Sequence, residues 1–212
     1  MLFSIVVHEI SHGYMALRLG DTTARDMGRL TLNPIPHIDP IGSILIPLIS
    51  FMTAGTVLIA WAKPVPVNPM NFRNMRRDDI LVSVVGPLSN LVVALVCALL
   101  YVLTTRLIGP LEGIPEGVEH EAATFVTRMF SVGITLNIFL AVFNLIPVPP
   151  LDGSHVVSSL LPESVGERFR QIGFMGILII LILMRLEPFR QLVFSIVLAI
   201  RTPYIFLVNQ LL

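Results

Sequence analysis

Charge is scarce in this chain. Asp, Glu, Lys and Arg together make up 13% of its 212 residues while 54% are hydrophobic, and the mean hydropathy is +0.83. Soluble domains carry about 25% charged residues, so the composition excludes an ordinary soluble globular protein and reads as an all-α, polytopic membrane protein. Cysteine is nearly absent: Cys97 alone excludes an intrachain disulfide and any cysteine-rich metal site, and its place in an apolar run marks an inert buried thiol. Formal net charge is zero, which removes the electrostatic case for nucleic acid as a partner. No basic residue precedes the first apolar stretch, Met1 to Leu19, and ionisable residues interrupt it, so it does not read as a secretory signal peptide. No internal repeat or low-complexity linker divides the chain, and a single domain is expected over 1–212.

What is present is a series of charge-free apolar runs at 41–62, 80–105 and 129–151, with a weaker pair at 171–184 and 191–200; such runs are candidate membrane segments. The main helices are expected at 1–19, 80–108 and 124–148. Between the runs lie polar connections. In Arg18 to Pro40, Gly20-Asp21 stops a helix and Asn33-Pro34-Ile35-Pro36 forbids a regular one. Lys63 to Asp79 opens with Lys63-Pro64-Val65-Pro66-Val67-Asn68-Pro69, an extended proline-spaced segment, and a small edge strand near 61–67 is a candidate. Gly109 to Ala122 carries Glu112, Glu116, Glu119 and Glu121 without a basic residue and reads as a solvated loop. Beyond 165 one or two further membrane helices are expected; 189–212, interrupted by Arg201 and Pro203, fits either a crossing or an interfacial helix.

Within the first apolar stretch stands His8-Glu9-Ile10-Ser11-His12. Each helical residue advances about 100° around the axis, so His8 and His12 fall about 40° apart on consecutive turns with Glu9 on the same side. Two imidazoles so placed can grip one metal while the carboxylate faces the water beside it, the arrangement of a zinc hydrolase. Only Met1 to Val7 precede His8, which fits a chain that starts partway along a longer natural helix. A hydrolytic zinc takes three protein ligands and keeps one open position. No histidine follows His12 at the spacing of the extended metzincin motif, so the third ligand is remote.

Asp21, Asp26, His37, Asp39, His120, Asp152 and His155 are the candidates. Asp21 and Asp26 read as surface charges, His37 and Asp39 as turn residues between prolines, and His120 as part of the solvated loop. Asp152 directly follows Asn144-Leu145-Ile146-Pro147-Val148-Pro149-Pro150-Leu151, where prolines end an apolar helix and free backbone carbonyls, tolerated at membrane depth only against protein or a wet cavity. Asp152 is favoured over its neighbour His155, although Asp152-Gly153 is also a turn dipeptide.

Three motifs in order, His8-Glu9-Ile10-Ser11-His12-Gly13, then Gly86-Pro87-Leu88-Ser89-Asn90, then Asn144 to Gly153, resemble the site-2 protease family of intramembrane zinc metalloproteases, over residues 1 to about 160. The compact prokaryotic branch fits best, since no soluble run between the helices can hold a PDZ domain. The resemblance implies one zinc ion held by His8, His12 and Asp152, with Glu9 as general base. It also implies a catalytic core over 1–160, followed by C-terminal helices over 165–212. The substrate is then a transmembrane segment of another membrane protein, cut within the lipid bilayer in regulated intramembrane proteolysis. Asn90 and Asn144, polar groups in apolar helices, either line the substrate cavity or bridge helices. An exposed strand at Trp61 to Val67 would hold an unwound substrate by strand addition, against the plainer reading of a proline-rich connector.

If one ion joins His8, His12 and Asp152, it lies about 10 Å below the side where the first helix exits, and 41–62 must be re-entrant or interfacial rather than a single crossing. The basic residues agree: Arg18, Arg25, Arg29, Lys63, Arg73, Arg76, Arg77, Arg168 and Arg170 then share the active-site side, against Arg106 and Arg128 opposite. By the positive-inside rule that side is expected to be cytoplasmic, and the resemblance implies a multi-pass protein of a prokaryotic plasma membrane. An ion- or proton-translocating protein and a zinc-binding scaffold without protease activity are the competing classes. Intramembrane His and carboxylates suit the first, but paired halves are missing.

Overall fold

The computed structural model describes residues 1–54, 61–109, 117–173 and 175–212. Part of the segment expected to re-enter at 41–62, and Glu112 and Glu116 of the acidic loop, lie outside them. The chain forms two compact units, Met1–Gly86 and Pro87–Leu212. Among the described residues the secondary structure is helical throughout, as the composition implies.

The first unit opens with helix α1, Leu2–Leu19. It stops at Gly20, whose φ of 114° is open to glycine without strain; a Cβ there would also lie 2.9 Å from the Asn71 carbonyl oxygen. A one-turn helix α2, Thr23–Asp26, follows, then a 3-10 turn at Ile35–His37. A wide π-helical stretch, Pro40–Leu45, is capped by the Asp39 carboxylate, which accepts from the amides of Ile41 and Gly42, and it leads into α3, Ile46–Ala54. After this excursion Trp61 N–H donates to the Gly42 carbonyl (3.1 Å) and Ser43 Oγ donates to the Trp61 carbonyl (2.7 Å). The segment therefore ends where it began. Gly42 permits this, because a Cβ on it would lie 2.1 Å from the Trp61 indole.

Residues 61–68 form no regular secondary structure, which corrects the expected edge strand. Pro64 and Pro66 have no N–H to give a ladder, and the amides of Lys63 and Val65 are bonded to the His37 carbonyl and the Glu9 carboxylate. A 3-10 turn at Pro69–Asn71 leads to α4, Met75–Ile108, capped by Asn74, whose side chain accepts from Arg77 N–H while its own N–H donates to Asp78. Ala16, Phe72 and Val82 form this unit's buried cluster.

The second unit holds the rest of α4 with α5, Val118–Asn144, α6, Asp152–Leu160, α7, Glu163–Arg170, α8, Met175–Arg185, and α9, Glu187–Leu211. Its core is built at four-residue spacing: Ala94, Ala98 and Val102 from α4, Ile134, Ile138 and Val142 from α5, Val193 and Val197 from α9. That spacing places each set along one helix face.

Several helix bounds differ from expectation: α4 opens at Met75 rather than 80, and α5 opens at Val118 rather than 124, so that Glu119, His120 and Glu121 of the expected loop lie in its first turn. α5 stops at Asn144 rather than 148, since Pro147 disfavours helical backbone at Ile146 before it, and a series of turns connects it to α6. Asp152 therefore begins a new helix instead of closing the long one. α9 runs unbroken through Arg201 and Pro203, at the cost of the amide that would have bonded the Ala199 carbonyl. By length and composition α4, α5 and α9 can cross a membrane, and α8 is a shorter apolar helix. α1 is not among the spanning candidates, because His8, Glu9, Ser11 and His12 dilute its apolar character.

Candidate active site

Helical periodicity brings the pentad together on α1 as its spacing requires. His8 and His12 are buried, 6% and 8% exposed, with rings 4.6 Å apart in an edge arrangement and Nε2 atoms separated by 3.0 Å. His12 Nδ1 lies 2.7 Å from the Val82 carbonyl oxygen. A carbonyl only accepts, so Nδ1 carries the proton and the Nε2 lone pair is directed at His8 Nε2. A backbone carbonyl fixing the far nitrogen is the usual support of a metal-binding histidine. Two nitrogens on one tetrahedral zinc, at about 2.0–2.1 Å from the ion, would sit about 3.3 Å apart, close to the spacing here.

Gly86, on α4, borders the pair. A Cβ there would lie 2.3 Å from His12 Nε2 and 2.8 Å from His8 Cε1, so the bare backbone leaves room where the nitrogens converge. The donor set and this space fit a metal ion. Glu9 is half-buried, and its Oε2 accepts from Val65 N–H at 2.7 Å. One carboxylate oxygen is thus tied to the extended segment.

Asp152, His155, Asn90 and Asn144 belong to the second unit. Asp152 opens α6, where the helix dipole favours a carboxylate, and His155 follows one turn later on the same helix. Gly153 beside Asp152 is buried, and a Cβ on it would lie 2.2 Å from the Leu145 carbonyl oxygen, so the start of α6 is packed onto the turn after α5. Asn90 is buried in α4, 1% exposed; Asn144 ends α5 and donates to the Leu140 carbonyl within its own helix (3.0 Å).

Asp21 departs from its reading as a surface charge. It is fully buried and accepts from Thr23 N–H (3.1 Å), Thr23 Oγ1 (2.5 Å), Asn68 N–H (2.7 Å) and Asn71 Nδ2 (2.8 Å). Burial pushes its carboxyl upward, but the bonds from Thr23, Asn68 and Asn71 outweigh it and hold the group below its ordinary 3.8. His37 is likewise buried, with Nε2–H donating to the Thr31 carbonyl (3.0 Å). Arg29, not a candidate in the sequence, is 6% exposed and donates to the carbonyls of Lys63 (2.9 Å) and Pro64 (3.3 Å). The signal for Asp21 and Arg29 was slight: two charges next to Gly20 and Gly28.

The sequence model of Peptidase family M50 matches residues 104–184. The "Putative zinc metalloprotease YwhC" of Bacillus subtilis (strain 168) is 40% identical over 185 residues, covering 86% of this chain and 77% of that protein. The "Putative zinc metalloprotease Rip2" of Mycolicibacterium smegmatis is 29% identical over 85% of this chain and 64% of its own length. The protein of the same name from Mycobacterium tuberculosis (strain ATCC 25618 / H37Rv) is 32% identical over 72% of this chain and 52% of its own length. The chain thus spans between half and about three quarters of these relatives. No solved structure matches it. With a histidine pair and carboxylate on one helix face, apolar helices of membrane-spanning length and these relatives, the chain belongs to peptidase family M50, the site-2 protease family, and is a membrane metallopeptidase.

Proposed function

We propose that the chain is an intramembrane endopeptidase that binds one zinc ion through His8, His12 and Asp152 and cuts transmembrane segments of other membrane proteins near the cytoplasmic face, in regulated intramembrane proteolysis. The observation that carries this is the His8–His12 pair, Nε2 atoms 3.0 Å apart, with the tautomer set by Val82 and a glycine leaving space beside it. Asp152 enters from the third sequence motif. When bound, zinc supplies a Lewis acid that brings a water's pKa down to about 7 and polarises a carbonyl.

The chain's own residues supply the rest. Glu9 takes the proton from the attacking water and returns it to the leaving amine, one oxygen held by Val65 N–H and the other open to that proton. The Val82 carbonyl keeps His12 in its metal-binding tautomer. The prolines at 64 and 66 and the committed amides of Lys63 and Val65 leave little of that segment for strand addition, so the substrate's unwound backbone must find donors elsewhere.

Glu9→Gln is expected to retain zinc and to lose cleavage of a helical reporter by a factor of at least about 10³ (about 4 kcal/mol). Full activity in the purified variant would defeat the base assignment. Asp152→Ala should lose zinc by metal analysis, and zinc retained at one ion per chain would remove Asp152 from the ligand set.

A further inference from the structure

We propose that Arg29 and Asp21 are positioning residues which hold the proline-spaced segment Lys63–Asn68 so that Val65 N–H orients the Glu9 carboxylate. This rests on Glu9 being the general base. Val65 stands between Pro64 and Pro66, neither of which has an N–H, so no neighbouring amide can take over its bond to Glu9 Oε2 (2.7 Å) if the backbone shifts by a residue. The aim of that bond depends on where the segment is held.

The holding groups lie on both sides of Val65. Before it, Arg29 Nη2 donates to the carbonyls of Lys63 and Pro64, and Lys63 N–H donates to the His37 carbonyl (2.9 Å). After it, Asn68 N–H donates to Asp21 Oδ2 (2.7 Å). Arg29 and Asp21 are buried charges, 6% and 0% exposed; Arg29 bonds two carbonyls of this segment, and Asp21 joins its last amide to Thr23 and Asn71, and charge-assisted bonds of this kind are strong and directional. The Val65 side chain, 7% exposed, seats on α1 one turn beyond Glu9: a Cβ on Gly13 would lie 2.9 Å from Val65 Cγ1. A carboxylate with one oxygen fixed presents the other in one direction, which a base needs if the proton is to be reached without a search over rotamers.

The test uses the full chain, zinc-loaded in detergent or nanodiscs, cleaving a helical reporter. Arg29→Met and Val65→Pro should each lower kcat about tenfold, with KM and zinc content unchanged, and Arg29→Lys should restore most of the rate. In metal-free protein, amide exchange at Val65 should be slow, and faster by about tenfold in Glu9→Ala and Arg29→Met. The assignment is overturned if Val65→Pro keeps its kcat, if the losses fall only on KM or zinc content, or if exchange at Val65 does not change. Should Arg29→Met fail to fold, Val65→Pro and exchange in Glu9→Ala decide alone. Unchanged kcat in Val65→Pro alongside an inactive Glu9→Gln would defeat the positioning role only; an active Glu9→Gln would defeat the base reading beneath it.

Discussion

At single positions, the space beside the histidines and the buried carboxylate of Asp21 make opposite kinds of demand. Gly86→Ala puts a methyl 2.3 Å from His12 Nε2, and the ring must turn away from its partner; zinc affinity should fall at least tenfold, about 1.4 kcal/mol, by competition with a chelator. Asp21 holds its proton less tightly folded than unfolded. It therefore stabilises the fold above pH 3.8, and that contribution is lost as pH falls through its lowered folded value. Thermal unfolding followed from neutral pH down to about pH 3 should show a steeper acid loss in the wild type than in Asp21→Asn. His8, Glu9 and His12 were legible in the sequence because a helix converts a spacing of four directly into a shared face. Arg29 and Asp21 were not, because their partners lie 34 and 47 residues away, and no local period records where a chain will return.

Among the elements, proline and glycine decide the boundaries. Periodicity and apolar length located α1, α4 and α5, and the proline cluster at 147–150 announced a break, but not that Asp152 would start a helix. That depends on the fit of Gly153 against the Leu145 carbonyl. Gly153→Ala should cost about 1–3 kcal/mol, seen as a lower melting temperature in detergent, because the atom in the way is backbone and cannot rotate aside. The proline-spaced stretch after Trp61 forms no strand; whether it would pair turned on where its few amides point, and those of Lys63, Val65 and Asn68 are taken by His37, Glu9 and Asp21. Nor did Arg201 and Pro203 interrupt α9, since one missing hydrogen bond is a small loss for a helix of 25 residues.

For the molecule as a whole, the proposed topology puts Met70, 76% exposed, on the cytoplasmic side with the basic residues around it. A cysteine at position 70 in a Cys97→Ala background should resist impermeant labelling of intact cells and react readily in inverted vesicles; easy labelling from outside would reverse the orientation. Chelation should abolish cleavage, and zinc should restore it with the apolar helices intact by circular dichroism, if the ion serves chemistry rather than folding. The closure of Trp61 onto Gly42 bears on how such a protein can vary. With both feet of the excursion tied together, its length is uncoupled from the position of Lys63–Asn68. Closing a longer loop costs only about 0.6 kcal/mol per doubling. A change in the number of residues there is therefore expected to leave the Val65–Glu9 bond in place.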